Sequence, residues 1–319
     1  MLVNPVRYGN LALLPGEHAL GPLGRQHFYS GYRRFSKSVA DLTVDIDSFS
    51  PAALSRVAYS DLYKKFGRSE QSYSSFLSGH TLLNYYRPFA PGSLSPLLER
   101  NAYVMPLLPR NVIHSITWRS CPVCVELAVS EHGFPYFRLE HQLPCATQCA
   151  LHQCALTSGC LSCCRIWSSL ERIGMPPLGK KCSKCGGELD ELGTLAYSDS
   201  DVAWVHQMSL RLLSSDLPLF THSRLQLAYQ KWLGVDSKVG ILNLRERAIV
   251  SDAQFELDNR FQDLLYRAFL RGDNSPSIKK RSSKLSVFHA AFSPDLFIPP
   301  VFHLLIIRMM FGDFESIPI

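Results

Sequence analysis

Apolar residues recur at helical spacing in several short segments of the first third of the chain. The segments follow Pro15-Gly16, Ser36, Ser50-Pro51 and Ser69, which are typical of turns and helix starts. This pattern predicts an N-terminal domain of three or four short helices over residues 1–105. The positions at helical spacing are Leu20, Leu23, His27 and Phe28; Val39 and Leu42; Leu54, Val57, Ala58, Leu62 and Phe66; and Tyr73, Phe76 and Leu77.

The helical pattern returns from about residue 199 and predicts a C-terminal helical domain over 199–319. Gly234 and Gly272 end two of its helices, residues 272–284 form an exposed linker, and Pro299-Pro300 starts a last apolar helix that ends at Gly312. The predicted core-facing stripes are Val202, Val205, Met208 and Leu212; Leu225, Ala228 and Trp232; and Phe261, Leu264, Leu265, Ala268 and Phe269.

Residues 106–198 differ from both flanks because they hold all 10 cysteines and seven glycines. Short strands and tight turns are expected here in place of long helices. The cysteines form CxxC and CxxH pairs, and a two-residue gap lets one turn present two donors to the same metal ion. The eight predicted ligands are Cys121, Cys124, Cys149, His152, Cys160, Cys163, Cys182 and Cys185.

Consecutive pairing of these motifs gives one site of three cysteines and a histidine and a second site of four cysteines. An interleaved pairing stays open, and Cys164 could replace Cys163. Four protein donors close the coordination of tetrahedral zinc, so we expect two structural zinc ions and no catalytic one. The remaining Cys145 and Cys154 are expected to be buried apolar thiols. The fold class is therefore mainly α and multidomain, with a central zinc-ribbon or zinc-knuckle module between two helical domains.

Charge and hydropathy disfavour a secreted or membrane-spanning protein and show where the basic residues concentrate. The net charge is +6, and the excess lies in residues 1–110, which carry 12 Lys/Arg and 7 Asp/Glu. The N-terminus lacks the apolar core of a signal peptide, and the apolar run 301–307 is far shorter than the ~20 residues of a membrane span. We therefore expect a cytoplasmic protein with reduced thiols, which favours metal binding over disulfides.

Two basic runs are candidate DNA-phosphate contacts. They comprise Arg33, Arg34 and Lys37 near the N-terminus, and Lys279, Lys280, Arg281 and Lys284 in the predicted linker. Three or four short helices with a basic excess fit a helix-turn-helix unit. An ordinary small helical bundle with solvated charged faces explains the same pattern.

The segment RSCPVCVELAVSEHGFPYFRLEHQLPCATQCALH, residues 119–152, resembles the TniQ/TnsD family of transposon target-selection proteins. The family pattern places an arginine before CPxC, then a glycine and an aromatic residue, then His-Gln-Leu-Pro, then CxxH. Gly133, Phe137 and residues 141–144 fill the middle positions here. Residues 17–32 resemble the family's opening helix, although Pro22 departs from it, and residues 80–89 resemble a stretch of the TnsD branch.

This resemblance implies an N-terminal helix-turn-helix, zinc-finger motifs and a helical C-terminal part. It also implies a bacterial, nucleoid-associated adaptor that binds double-stranded target DNA and recruits an AAA+ ATPase regulator, which engages the transposase. Some members instead dock on a CRISPR effector complex, which finds its target by guide-RNA pairing. The resemblance leaves a homodimer open.

Three hypotheses follow. The first is a selector that binds duplex DNA itself, and the second is an adaptor on a guide-RNA effector that contacts DNA little. The third is a zinc-dependent nuclease, which the closed donor sets and the lack of an HExxH motif disfavour. We therefore expect a protein that is not an enzyme.

Overall fold

The computed structural model describes residues 11–44, 49–54, 56–66, 72–92, 117–192, 200–215, 220–235, 241–264 and 286–318. Within these ranges the fold is mainly helical, as predicted, and includes one two-stranded antiparallel sheet. The chain forms two compact units, one from the described residues up to 82 with 117–192 and one from 83–92 with the described residues after 199. The predicted domain boundaries after 105 and 198 lie outside the described residues, so the three-domain division stays a prediction.

The first unit contains six α-helices and two strands among its described residues. These are α1 (Gly21–Ser30), α2 (Phe35–Val39), α3 (Val57–Phe66), α4 (Tyr73–His80), α6 (Pro122–His132), β1 (Thr157–Cys160), α7 (Leu170–Ile173) and β2 (Leu189–Glu191). The second unit contains α5 (Leu83–Tyr86), α8 (Ser200–Ser214), α9 (His222–Leu233), α10 (Leu244–Leu264), α11 (Val287–Phe292) and α12 (Pro300–Met310).

Helix α1 lies in the segment predicted after Pro15-Gly16 but begins only at Gly21, and Pro22 lies in its first turn. Proline lacks only an N–H there that no helical carbonyl would accept, so it does not interrupt the helix. Two predicted caps need correction. The residue before α2 is Arg34 and not Ser36, and the Arg34 side chain makes no capping hydrogen bond. Helix α4 is capped by Ser72, whose side chain accepts the Ser75 N–H at 3.1 Å. Ser69 lies outside the described residues.

The prediction that Ser50-Pro51 starts a helix is wrong, because α3 begins only at Val57. The preceding segment forms turns whose carbonyl groups serve buried side chains. The donors are Trp118 Nε1 to Phe49 O at 2.8 Å, His18 Nε2 to Pro51 O at 3.2 Å and Tyr59 Oη to Ala53 O at 3.0 Å. These tertiary bonds replace the helical ones that the local pattern favours.

A buried ion pair lies at the start of α1. The Arg25 guanidinium donates to the Glu17 carboxylate, and both side chains are almost fully buried. Glu17 also accepts the Leu14 N–H at 2.9 Å, and Arg25 donates to Ala12 O at 2.8 Å. Burial nonetheless raises the pKa of Glu17, against the lowering effect of Arg25. Removing one partner of such a pair strongly destabilises the fold, because the other charge then stays buried without a counter-charge.

Helix α1 packs closely against the turn that follows α7. A Cβ atom added to Gly24 would lie 1.9 Å from the carbonyl oxygen of Gly174, which is a backbone atom and cannot rotate away. Gly174 itself has a positive φ of 70°. The two glycines therefore allow a backbone contact between α1 and the cysteine-rich region of the same unit.

We expect Gly24→Ala to destabilise the protein by about 1–3 kcal/mol, because the added methyl group forces the two segments apart. Gly79→Ala is the matched control, since Gly79 is also helical and an added Cβ meets nothing within 4 Å. That substitution should be neutral or stabilise by about 0.5–1 kcal/mol. Denaturant unfolding of both variants measures the difference, and equal stabilities would contradict the close contact.

The second unit confirms most of the predicted C-terminal helices. Val202, Val205, Met208 and Leu212 are buried on α8, and α12 follows Pro299-Pro300 as predicted. Trp232 is a correction, because it is 41% exposed while Tyr229 on the same helix is fully buried. Residues 265–272 and the predicted linker 272–284 lie outside the described residues. None of the described helices combines the length and apolar character that crossing a membrane requires.

Candidate metal centres

The eight predicted ligands converge in two groups of four. The first group is Cys121, Cys124, Cys149 and His152, and the second is Cys160, Cys163, Cys182 and Cys185. Within each group the candidate ligand atoms all lie within 4.8 Å of one another. The pairing is consecutive, and each group could hold one metal ion.

The first CxxC motif is built on the start of α6. Cys121 occupies the N-cap position, and its Sγ accepts the Cys124 N–H at 3.4 Å. Pro122 is the first residue of the helix, where its missing N–H costs no helical hydrogen bond. The helix continues to His132 and ends at Gly133, whose φ is 79°. The 11-residue α6 differs from the strands and turns expected here, because a cysteine cap and a first-turn proline start a helix as well as a knuckle.

A tight turn supplies the other two donors of the first group. Gln153 donates its N–H to Cys149 O at 2.9 Å and has a φ of 53°, which folds the chain back at His152. The Nδ1 atom of His152 lies 3.5 Å from Cys121 Sγ, 3.2 Å from Cys124 Sγ and 3.5 Å from Cys149 Sγ. One imidazole nitrogen thus faces all three sulfurs.

Cys154 is a residue whose position the sequence did not predict. Its side chain is partly exposed and its Sγ lies 3.2 Å from Cys121 Sγ, so the expectation of a buried apolar thiol is wrong. Cys145 is buried, as expected. His141 Nε2 also lies 3.8 Å from Cys124 Sγ, which places a second imidazole beside the first group. In the sequence, the separation of five residues between Cys149 and Cys154 is the feature that indicates a position of Cys154 near the first group.

The second group joins two CxxC turns, each next to one strand of the β1–β2 sheet. The register pairs Cys160 with Leu189. The first turn is closed by the Cys160 N–H to Arg165 O at 2.9 Å, and the second by the Cys182 N–H to Gly187 O at 2.8 Å. The sulfurs approach in pairs, 3.5 Å between Cys160 and Cys185 and 4.0 Å between Cys163 and Cys182.

Cys164 does not belong to the second group. It is exposed, has a φ of 50°, and its Sγ lies 3.8 Å from the carbonyl oxygen of Leu161. Of the two alternatives that the sequence left open, the fold therefore brings Cys163 and not Cys164 to the second group. Cys164 instead occupies the reversal of the first turn, which makes it a useful control for metal-binding experiments.

Backbone and side-chain donors favour the thiolate at one cysteine of each group. The Cys163 N–H lowers the pKa of Cys160 to about 7. Hydrogen bonds from Cys121 and Cys124 hold the pKa of Cys149 far below its ordinary value. The thiolate is the form of cysteine that binds metal. The opposite shift falls on a neighbouring thiol, because hydrogen bonds with Cys124 and Cys149 raise the pKa of Cys121, so the first group without an ion shares protons among its thiols.

Residues between the two halves of the first group form a hydrogen-bonded frame. Gln142 accepts the Arg119 N–H at 3.1 Å and donates to the carbonyls of Arg119 and Arg138, both at 2.9 Å. The Arg119 guanidinium donates to Leu143 O at 3.0 Å and also to Ala146 O. The residue before CPxC and the glutamine of His-Gln-Leu-Pro thus hold each other in place.

Trp118 connects this frame to the N-terminal helices of the same unit. It is fully buried, its backbone N–H donates to Trp167 O at 2.7 Å, and its ring centroid lies 4.8 Å from those of His18 and Phe137. Two residues on, Ser120 exchanges two backbone hydrogen bonds with Thr157 at 3.1 and 2.9 Å, which joins the first group to β1. One ladder therefore leads from Cys121 to the strand that carries Cys160.

The ring of His18, next to Trp118, is neutral in the folded protein. Burial lowers its pKa to about 3, and the nearby charges of His80 and Arg56 act in the same direction. Its Nδ1 accepts the Leu20 N–H at 3.2 Å while Nε2 donates to Pro51 O. A second proton on Nδ1 would face that N–H donor, so the neutral tautomer is the one that fits.

The unfolded chain takes up a proton at His18 below its ordinary pKa of 6.5, whereas the folded chain does so only near 3. Stability contributed by neutral His18 is therefore complete above about pH 6.5 and declines as the pH falls toward 3. Wild type should lose about 1.4 kcal/mol per pH unit more than His18→Gln below pH ~6. Unfolding titrations in excess metal measure this, since metal loss affects both proteins alike. Parallel stability curves would contradict the assignment.

The candidate DNA contacts divide into described and undescribed residues. Arg33, Arg34 and Lys37 are exposed around the start of α2, where they are free of the core. Lys279, Lys280, Arg281 and Lys284 lie outside the described residues. Comparison with protein-family models gives no match for this chain, and neither does comparison with curated proteins.

Proposed function

We propose that the chain is the target-selection adaptor of a heteromeric cut-and-paste bacterial transposon, held together by two structural zinc ions. In this role it binds target DNA and recruits an AAA+ ATPase regulator that engages the transposase. The proteins that it resembles have this role, and the first cysteine group carries the resemblance.

The donor sets support zinc as the metal. Zinc binds thiolate and imidazole in tetrahedral sites, and a Zn–S bond of about 2.3 Å separates two bound sulfurs by about 3.8 Å. The 3.7 Å between Cys124 and Cys149, and the 3.5 and 4.0 Å in the second group, fit this geometry. Each group provides four protein donors, and a closed set of this kind is typical of structural sites. Zinc would therefore stabilise the fold and leave chemistry to partners.

The observation that carries the proposal is the frame around the first group. Arg119 and Gln142 belong to the sequence motif that resembles the family, and they are bonded to each other around the CPxC and CxxH turns. Ordinary zinc ribbons do not carry His-Gln-Leu-Pro before the second knuckle. A buried arginine–glutamine frame explains why this motif has residues beyond the ligands.

DNA binding by the first unit is supported by the exposed basic residues of α2. Helices α1 and α2 pack together, and Arg33, Arg34 and Lys37 are exposed at and before α2. Side chains of this kind contact phosphates and position a helix-turn-helix on a duplex without reading its sequence. We propose these three residues as phosphate contacts.

An electrophoretic mobility shift with duplex DNA over a range of salt concentrations tests this role. Binding should weaken as the salt concentration rises. Replacing Arg33, Arg34 and Lys37 together by glutamate should make the fall of the logarithm of the association constant with the logarithm of salt concentration less steep, by about 3 in slope. The matched control replaces Arg224, Lys231 and Arg245, exposed cations of the second unit, and should leave the slope unchanged. Co-purification with the regulator ATPase tests the recruiting role.

Two results would contradict direct DNA binding. One is the absence of any salt-dependent shift, and the other is equal binding by wild type and the α2 variant. Co-purification with a guide-RNA effector, together with no duplex shift, would support the adaptor hypothesis in which the effector selects the target.

A further inference from the structure

A cavity of about 460 Å³ opens between three segments of the first unit. The segments are the end of α1, the end of α6 with the residues after it, and the turn that follows α7. Its size is in the range of pockets that hold small ligands or single large side chains. Most of the lining is apolar or aromatic, including Phe28, Tyr29, Phe134, Met175, Pro177 and Leu178.

Three of these lining residues expose large apolar side chains to water. Phe28 is 65% exposed, Leu178 is 62% exposed and Tyr29 is 43% exposed. Single exposed apolar residues are ordinary on protein surfaces, but several gathered around one cavity mark an interaction site. Phe28 and Tyr29 do not belong to the buried part of α1, which is formed by the first six residues of that helix, Gly21 to Gln26.

The walls of this cavity are held in place before any ligand arrives. The backbone contact between Gly24 and Gly174 fixes α1 against the third segment, and Pro176-Pro177 stiffens that segment. The guanidinium of Arg25 lies 4.8 Å from the centre of the Phe134 ring and is itself anchored by Glu17. Because the cavity is preformed, binding of a ligand does not include the entropic cost of ordering the site.

The charge near the cavity is mainly basic: Lys181 lies in the lining, although the carboxylate of Glu171 acts on His27, which also lines it. Residues 165–185 carry five basic side chains and one acidic one, Glu171. Lys181 lines the cavity itself, and the exposed Lys180 and Lys184 flank it in sequence. Acidic groups on a ligand would therefore meet complementary charge at this wall.

We propose that this cavity is the docking site for a peptide segment of a partner protein, with a bulky apolar side chain as anchor and acidic residues beside it. An open, largely apolar cavity fits an aliphatic or aromatic side chain, whereas a nucleobase has polar edges that this lining leaves largely unsatisfied. The proposal uses none of the metal donors and stands independently of the role in target selection.

Selection from a phage-displayed library of random linear peptides tests the proposal on the full, metal-loaded chain. Enriched peptides should share an apolar anchor with acidic neighbours. A synthesised peptide should bind Phe28→Ala and Leu178→Ala at least about tenfold more weakly than wild type. Phe255→Ala, which removes an exposed aromatic residue outside the cavity, should bind like wild type. Lys181→Glu should weaken binding and Lys65→Glu should not, with metal content unchanged in both.

Three outcomes would overturn the proposal. No peptide is enriched over an unrelated protein, or the enriched peptides bind the cavity variants and wild type equally. In the third, a single-stranded oligonucleotide binds and the peptides do not, and Phe28→Ala abolishes the oligonucleotide binding. That result would assign the cavity to nucleic acid.

Discussion

Cys149→Ser is expected to lower bound zinc from about two ions per chain to about one and to unfold much of the first unit. Serine offers a poor zinc ligand, so the first group keeps only three donors. Structural zinc contributes on the order of 10–16 kcal/mol of apparent binding free energy, and the fold depends on that contribution in such modules. Elemental analysis of the purified variant gives the stoichiometry, and circular dichroism gives the loss of structure.

The control for this experiment is Cys164→Ser, because Cys164 is exposed and outside both groups. It should keep both ions and wild-type stability. Cys160→Ser should lose one ion as well, from the second group. Unchanged metal content in Cys149→Ser would show that the ligand assignment is wrong, and metal loss in Cys164→Ser would contradict the geometry of the second group.

Trp118→Ala should destabilise the protein by about 3–5 kcal/mol. The fully buried indole contacts His18 and Phe137, and its Nε1 donates to Phe49 O at 2.8 Å. Removing it leaves a large cavity where the N-terminal helices meet the metal region, and the Phe49 carbonyl keeps only the longer hydrogen bond from the Leu170 N–H at 3.4 Å. The loss is a large fraction of the roughly 5–15 kcal/mol that stabilises a typical protein. Denaturant unfolding measures the change.

Trp118→Phe separates the two contributions. It keeps most of the packing, so it should cost less than the alanine variant and report mainly the lost hydrogen bond. Trp232→Ala, at a partly exposed position, should change stability by less than about 1 kcal/mol. Similar effects of Trp118→Ala and Trp232→Ala would contradict the role of Trp118 as the link within the first unit.

The metal centres could be predicted because their chemistry is local. A two-residue gap places two donors on one turn whatever surrounds it, so CxxC and CxxH identified all eight members of the two groups. The pairing of the turns depends on the fold, and the sequence left it open. The β1–β2 pairing brings the second group together, and the frame of Arg119 and Gln142 brings the first together.

Other features depended on long-range contacts that a local pattern does not contain. The turn at residues 49–53 is not helical because Trp118, His18 and Tyr59 bind its carbonyls. Cys154 lies beside the first group because the chain folds back there. Periodicity alone assigned Trp232 to the core, although the buried face of α9 includes Tyr229.

Buried charged and polar side chains were the least predictable part. Glu17 and Arg25 read as surface residues by composition, yet each is buried because it satisfies the other. The same holds for His18, whose two ring nitrogens both find backbone partners. A sequence shows such residue types but not the partners that make their burial possible.

Native mass spectrometry of the purified, reduced chain, with elemental analysis of the same sample, measures whether the folded protein holds two zinc ions. We expect a folded protein that exceeds the 35.9 kDa chain by the mass of zinc ions, with about two ions per chain. Chelation should remove the ions and unfold the first unit. A folded chain that carries no metal would contradict the architecture and the proposed kinship together.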